Sequence, residues 1–295
     1  LSAVPERPLA PATPAAPGSP AHLLRFTRRN PTIVAGAVIL AMVAVLALLA
    51  PLFAGDPLAM TPAQRLRPPS AEFWFGTDNL GRDIFARTVY GARISLLVGL
   101  SVAAFSIVVG LVIGLLAGYY RRVDAVVMRL MDGLMAIPAI LLAIALVALT
   151  SASVFIVIVA ITIPEVPRVV RLVRSVVLGV REAPYVEAAV AGGTRTLKII
   201  VRHILPNTIA PLIVQSTYIC ASAILVESAL SFLGAGTPPD VPTWGNMIAQ
   251  SRLYLGPAPW TIFFPGVALA VIVLAVNLLG DGLRDRLDPR LARRM

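Results

Sequence analysis

The residue types that could do chemistry are sparse in this chain, and their spacing excludes most of it. Histidine occurs only at His22 and His203, too few and too far apart for a zinc or copper site. Cys220, the sole cysteine, lies in an apolar run, so no internal disulfide or multi-cysteine cluster can form. It reads as a small packed hydrophobe. Of the 25 basic residues, only Lys198 is lysine, and it follows Leu197. A P-loop needs Gly-Lys-Ser/Thr, so a nucleotide that drives this chain must be bound by another polypeptide. Asp78-Asn79-Leu80-Gly81 lacks the calcium-loop spacing.

One segment has the chemistry of a contact surface. It runs Arg181-Glu-Ala-Pro-Tyr-Val-Glu-Ala-Ala-Val-Ala-Gly-Gly-Thr-Arg-Thr-Leu-Lys-Ile-Ile-Val-Arg-His-Ile-Leu-Pro206. Pro184 suits a first helical turn, strong helix formers follow to Ala191, and Gly192-Gly193 break the pattern. A second short helix is expected over Thr194 to Ile204, with Arg195, Lys198 and Arg202 on one basic face. Pro206 is expected to interrupt it. The alanines beside Glu187 make a narrow ridge that a groove on another protein can approach. A loop lying on anionic lipid through its basic face explains the composition equally well.

The elements that must position this segment are membrane helices. The chain is 58% hydrophobic and 14% charged, against about 45–50% and about 25% in soluble domains. The net charge of +10 comes from arginines between apolar spans, a pattern that sets membrane orientation and argues against nucleic acid as a partner. Spans are expected at Thr32 to Phe53, Ile94 to Tyr120, about 134–150, from about 153, Asn207 to Val226, and Trp260 to Gly280. Thr150 to Ser153 is the expected turn between the third and fourth. The fourth carries Glu165, Arg168, Arg171 and Arg174 at its inner end.

Six crossings place both termini on one side. Nineteen basic residues on that side against six on the other favour cytoplasmic termini. The first span reads as a retained anchor, since its apolar run exceeds the ~7–15 residues of a secretory signal. Pro5, Pro8, Pro11, Pro14, Pro17 and Pro20 recur at the polyproline II period and mark a flexible extension. No internal duplication is visible, so a pore between such units would need a second chain.

The long loop resembles the EAA motif of binding-protein-dependent ABC importer permeases. Glu187, Ala188, Ala189, Gly193, Leu205 and Pro206 fall in register, with His203 where the general pattern has Ile and Ile204 one place later. Phe75-Gly-Thr-Asp-Asn-Leu-Gly-Arg-Asp83 and Tyr90-Gly-Ala-Arg-Ile-Ser95 are similar to C-type permease subunits of dipeptide, oligopeptide and nickel importers. So are Glu227-Ser-Ala-Leu-Ser-Phe-Leu-Gly234, Pro242-Thr-Trp-Gly-Asn-Met247 and Asp281-Gly-Leu-Arg-Asp-Arg-Leu-Asp-Pro289.

The resemblance implies an all-α polytopic membrane protein of six transmembrane helices, with the type I importer (MetI-like) permease fold, in the bacterial inner membrane. It implies a tail at 1–30, a first helix at 31–54, an extracytoplasmic loop at 55–93, a core at 94–281 with its coupling loop at 182–206, and a cytoplasmic tail at 282–295. It further implies a non-catalytic subunit without a cofactor of its own, forming half of a peptide pathway. The partners would be a homologous B-type permease, two ATPase subunits or domains holding ATP and Mg, a solute-binding protein and membrane lipid. Glu187 would contact the ATPase, Ala188 and Ala189 would permit close approach, Gly193 would make the turn, and Leu205-Pro206 would join the next span.

Nickel, glutathione and haem are alternative cargoes on the same architecture. A secondary transporter is disfavoured, because the span centres carry almost no ionisable groups. Glu227 is a candidate for the pathway, a docked receptor, or a salt bridge to the partner permease. Asp78, Arg82 and Asp83 are candidates for receptor contact or a packed plug between subunits. Trp244 is a further possible contact, although with Trp260 and Tyr254 it suits an interfacial aromatic belt. Asp132 and Glu165 are expected to pair with Arg129 and Arg168 at helical spacing.

Overall fold

The computed structural model of the chain describes residue 27 and residues 30–150 and 153–287. The proline-rich 1–21 segment and the end of the last motif, Asp288-Pro289, lie outside the described residues, as does the middle of the Thr150–Ser153 turn. The first helix, α1, spans Pro31–Phe53 and starts on a proline whose missing N–H is costless in the first turn. Its outward side chains, among them Val38, Met42, Val45, Leu48 and Leu52, are exposed and apolar, as a lipid-facing surface requires.

Helix α2 spans Ile84–Tyr119 and starts ten residues before the expected Ile94. The Asp83 side chain accepts the Phe85 N–H at 2.8 Å and caps it. Arg87 and Arg93 end the apolar run but not the helix. The amphipathic α3, Arg121–Ala136, and the apolar α4, Ala139–Ala148, follow, bent by 85° at Ile137-Pro138. Helix α5, Val154–Arg181, is capped by Ser153, which accepts the Ile156 N–H at 3.2 Å.

Glycines let α2 and α5 touch along their length. A Cβ on Gly110 would lie 2.5 Å from Val169 Cβ, one on Gly114 2.7 Å from Val173 Cβ, and one on Gly118 2.6 Å from Val177 Cβ. Small residues repeated every four positions are the usual means of close helix approach in lipid, where no hydrophobic force drives helices together. Position numbers rise together along both helices, so α2 and α5 run parallel and the chain must return between them through the bent α3–α4 pair. Gly114→Ala should therefore destabilise by about 1–3 kcal/mol through overpacking. Gly133→Ala in α3, where a Cβ meets nothing within 4 Å, should be neutral or stabilising by up to about 1 kcal/mol. Thermal melts of the two purified variants would check the opposite signs.

After α5 come α6, Pro184–Ala191, and the short α7, Thr196–Ile199, which passes through a π-turn at Ile200–Ile204 into α8, Leu205–Phe232. Pro206 does not interrupt this run, contrary to expectation. It sits in the first turn of α8, and the wide turn before it closes through Leu205 N–H to the Ile200 carbonyl. Helix α9, Trp244–Ser251, and α10, Trp260–Leu287, complete the fold.

The described residues are helical apart from loops and one isolated bridge, Thr77 to Asp83. The expected six crossings are not what length and composition give: α1, α2, the Thr196–Phe232 run and α10 suffice to cross a membrane, and the bent α3–α4 pair makes a fifth if it is one span. Helix α5 falls short because its apolar stretch stops at Glu165 and is followed by Arg168 and Arg171.

Candidate functional sites

The 182–206 loop stands at the end of the molecule where α2 and α5 finish. Arg181 Nη1 donates to the Gly118 carbonyl at 3.3 Å and ties the loop's root to α2. Helix α6 is anchored by Val186, 1% exposed, while Tyr185, Glu187, Ala188 and Val190 face outward. Ala189 is half-buried against the core. The helix ends in a glycine turn: Gly193 has φ +74°, its N–H donates to Val190 and the Thr194 N–H to Ala189, both at 3.0 Å. A Cβ at Gly193 would meet nothing within 4 Å, so backbone conformation rather than space requires glycine.

The second half of the loop is held by Ile199, Ile200 and Ile204, all buried. Arg195, Lys198 and Arg202 are exposed. Asn207 donates to the His203 carbonyl at 2.7 Å and to the Tyr185 hydroxyl at 3.4 Å, and the Tyr185 and His203 rings are 6.1 Å apart. Asn207, in the first turn of α8, thus links the π-turn to α6. Leu205 and Pro206 lie in the first turn of α8, so the six loop residues are divided among α6, the glycine turn that ends it and the head of α8.

At the other end of α2, about 54 Å away at 1.5 Å per residue, lies a buried polar node. Asp78, 3% exposed, accepts from Arg82 Nε at 2.7 Å and from Arg87 Nη1 at 2.5 Å, and also holds the Leu80 and Arg82 N–H groups at 2.8 and 2.9 Å. Gln250 of α9 accepts from Arg82 at 2.7 Å and from Arg87 at 3.3 Å, and donates to the Pro239 carbonyl at 3.2 Å. The node joins the 78–87 segment to the 239–250 segment far along the chain. Gly81 has φ +72° and packs on the Thr61 backbone.

Trp244 is 1% exposed and donates to the Thr88 carbonyl at 2.9 Å. It is a core residue of the α2–α9 contact, which corrects the interfacial-belt expectation for it. Trp260 is half-buried and donates to the Thr77 carbonyl at 3.3 Å, and Phe75 stacks on Phe264 with centroids 4.0 Å apart.

Asp83 is the node's neighbour at the head of α2. Burial pushes its carboxyl above the usual carboxylate range, while the Phe85 and Ala86 amides pull it back. A raised carboxyl stabilises the fold in acid and loses that contribution as pH rises through its folded value. Asp83→Asn keeps an acceptor for the cap without the desolvated charge. It should match or exceed the parent's stability near neutral pH, by less than about 1 kcal/mol, and lose this advantage on acidification. Melting curves across pH would check it.

Glu227 is wholly buried within the chain, among Ser231, Thr237, Thr243 and Asn246. Asp78 and Arg82 are buried too, so none of the three presents its charge at the surface. Of the expected charge pairs, Glu165–Arg168 forms at 3.3 Å. Asp132 pairs instead with Arg171 across the α3–α5 contact at 2.5 Å, and Asp124 pairs with Arg174. These cross-helix partners could not be assigned from spacing within one helix.

The family described as binding-protein-dependent transport system inner membrane component matches residues 106–293, covering α5, the 182–206 loop and α8 to α10. The chain belongs to that family. A probable peptide ABC transporter permease protein of Sinorhizobium fredii is 60% identical over 272 residues, covering 92% of this chain and 94% of its own length. The dipeptide transport system permease protein DppC of Alkalihalophilus pseudofirmus is 46% identical over 266 residues, 90% and 88% of the two chains. The MetNI methionine ABC transporter, in an inward facing conformation, superposes with a TM-score of 0.54 at 22% identity, over 68% of this chain and 96% of that one. The all-α, MetI-like fold is therefore the one expected, in a multi-helix inner-membrane component of a transport system.

Proposed function

We propose that this inner membrane component is the permease subunit of an ATP-driven importer of dipeptides and oligopeptides, and that α6 is its coupling helix. The observation that carries the coupling role is the loop geometry. Glu187 and Ala188 project from a short helix pinned by Val186 and closed by the Gly193 turn, at the end of α2 remote from the Asp78 node. Glu187 has no ion-pair partner among the described residues, so its exposed carboxylate is available to a second protein.

The sequence has no Gly-Lys-Ser/Thr, so two ATPase subunits or domains supply ATP and Mg. Closure of that ATPase pair pulls on α6. Through Val186 and the isoleucines of the α7–α8 run, the pull passes to α5 and α8, which rock against a second, B-type permease. A solute-binding protein delivers cargo at the Asp78 end. The names of the relatives support peptides as that cargo.

Reconstitution of the complete complex in liposomes with its binding protein tests this reading. Dipeptide, and not nickel, should stimulate ATP hydrolysis and accumulate in the lumen. A nickel response without a peptide response would overturn the substrate choice.

A further inference from the structure

At the end of α8 remote from the coupling loop, the chain forms a pocket of about 290 Å³ between the α8 C-terminus, the 234–241 turn and α9. Ser231, Thr237, Asn246 and Gln250 line it, with Arg252 also contributing to its wall. Behind this wall lies Glu227, 0% exposed. Ser231 Oγ donates to Glu227 Oε1 at 2.8 Å and Thr237 Oγ1 approaches the same oxygen at 3.5 Å. Glu227 Oε2 has no hydrogen-bond partner, and no arginine, lysine or histidine lies within 4 Å of the carboxylate among the described residues.

A carboxylate buried without a cation is costly to ionise, and a cation arriving nearby would offset that cost. The hydroxyls between it and the pocket are the route. Ser231 Oγ already accepts the Thr237 N–H at 3.3 Å and Thr237 Oγ1 the Asn246 amide at 3.0 Å, which leaves each hydroxyl one acceptor site for a positive donor in the pocket, one hydrogen bond away from the carboxylate. The Asn246 amide donates to Thr237 Oγ1 at 3.0 Å and to the Pro238 carbonyl at 2.9 Å, which fixes the turn and the orientation of the Thr237 hydroxyl. The pocket is at the lower end of the size range for small-molecule sites.

We propose that this pocket binds an ammonium group, that of the transported solute's free amino end, with Glu227 balancing its charge through Ser231 and Thr237. The proposal rests on the peptide reading only for the identity of the solute. Glu227 is a positioning residue here, since the hydroxyls make the contact.

The test uses the purified complex without its solute-binding protein, with binding measured calorimetrically for three probes: alanyl-alanine, N-acetyl-alanyl-alanine and methylammonium chloride. Alanyl-alanine should bind, and acetylation, which removes the ammonium, should abolish binding. Glu227→Gln, which keeps the shape, should weaken it about ten- to hundredfold, the effect of losing a charge-assisted interaction. Ser231→Ala, a second variant that spares the carboxyl, should weaken it in the same direction. Methylammonium binding that depends on Glu227, without dipeptide binding, would uphold the site and refute the peptide cargo. Equal affinity for the acetylated probe, unchanged affinity in Glu227→Gln, or no binding of either amine would overturn the proposal and leave Glu227 as a carboxylic acid holding a structural proton only.

Discussion

Gly193→Leu should leave the permease inserted and assembled while lowering peptide uptake at least tenfold, with ATP hydrolysis continuing uncoupled. The backbone at φ +74° costs a side-chain-bearing residue roughly 1–2 kcal/mol, and it relieves the strain by re-aiming the end of α6. Because a Cβ there meets nothing within 4 Å, the disturbance stays in the loop and does not enter the core. Glu187→Arg should give the same separation by a different route, since it reverses an exposed charge and breaks no bond within the chain. Parallel assays of vesicle uptake and ATP hydrolysis would check both. Normal substrate-stimulated transport in either variant would remove the coupling role from this loop.

Asp78→Ala should be the most destabilising single change at the opposite end, costing about 3–5 kcal/mol, the range for removing one member of a buried ion pair. It strands Arg82 and Arg87, 3% and 1% exposed, with the neutral Gln250 oxygen as their shared side-chain acceptor. The amides of Leu80 and Arg82 lose their acceptor as well. In a melting experiment on the purified protein this corresponds to a fall on the order of 10 °C. Adding Arg87→Leu to Asp78→Ala should recover part of the loss, because one uncompensated charge disappears with it. A melting temperature unchanged from the parent would show that water, and not Asp78, solvates the two guanidinium groups.

How much of this was legible in the sequence depends on how far apart the interacting residues lie. The 182–206 loop was readable because its signals are local: Pro184 opens a helix, Gly192-Gly193 close it, and the alanine ridge lies between them. The pair Asp78–Arg82 sits at a separation of four, within reach of local reasoning. Arg87 completes the node from the first turn of α2 and Gln250 from far along the chain, and no spacing rule points to them. The same holds for Trp244, whose indole looks like a membrane-edge anchor until its N–H is seen to meet the Thr88 carbonyl inside the fold.

Charge was the feature that misled the reading of the helices. Arg87 and Arg93 postpone the expected span until Ile94, yet the Asp83 cap starts α2 at Ile84. Arg168 and Arg171, at the inner end of the expected fourth crossing, pair with Glu165 and Asp132 and shorten the uninterrupted apolar stretch of α5. The glycine seam of α2 was present as Gly110, Gly114 and Gly118, but its meaning required Val169, Val173 and Val177 to be seen opposite. Glu227 was recognised as unusual from its place in an apolar run. That it points into the chain's own hydroxyl cage followed only from the packing of the 234–241 turn.

If an ATPase grips α6, the two must lie within cross-linking distance. The native Cys220 is buried, so Ala188→Cys provides an exposed thiol on that helix, and a short bifunctional thiol reagent can link it to cysteines placed around the groove of the ATPase subunit in the assembled complex. The expected result is a permease–ATPase adduct whose yield changes with ATP, and no labelling of the same thiol by an impermeant reagent added from the side that receives the binding protein. Labelling from that side, or an adduct with the binding protein in place of the ATPase, would contradict it.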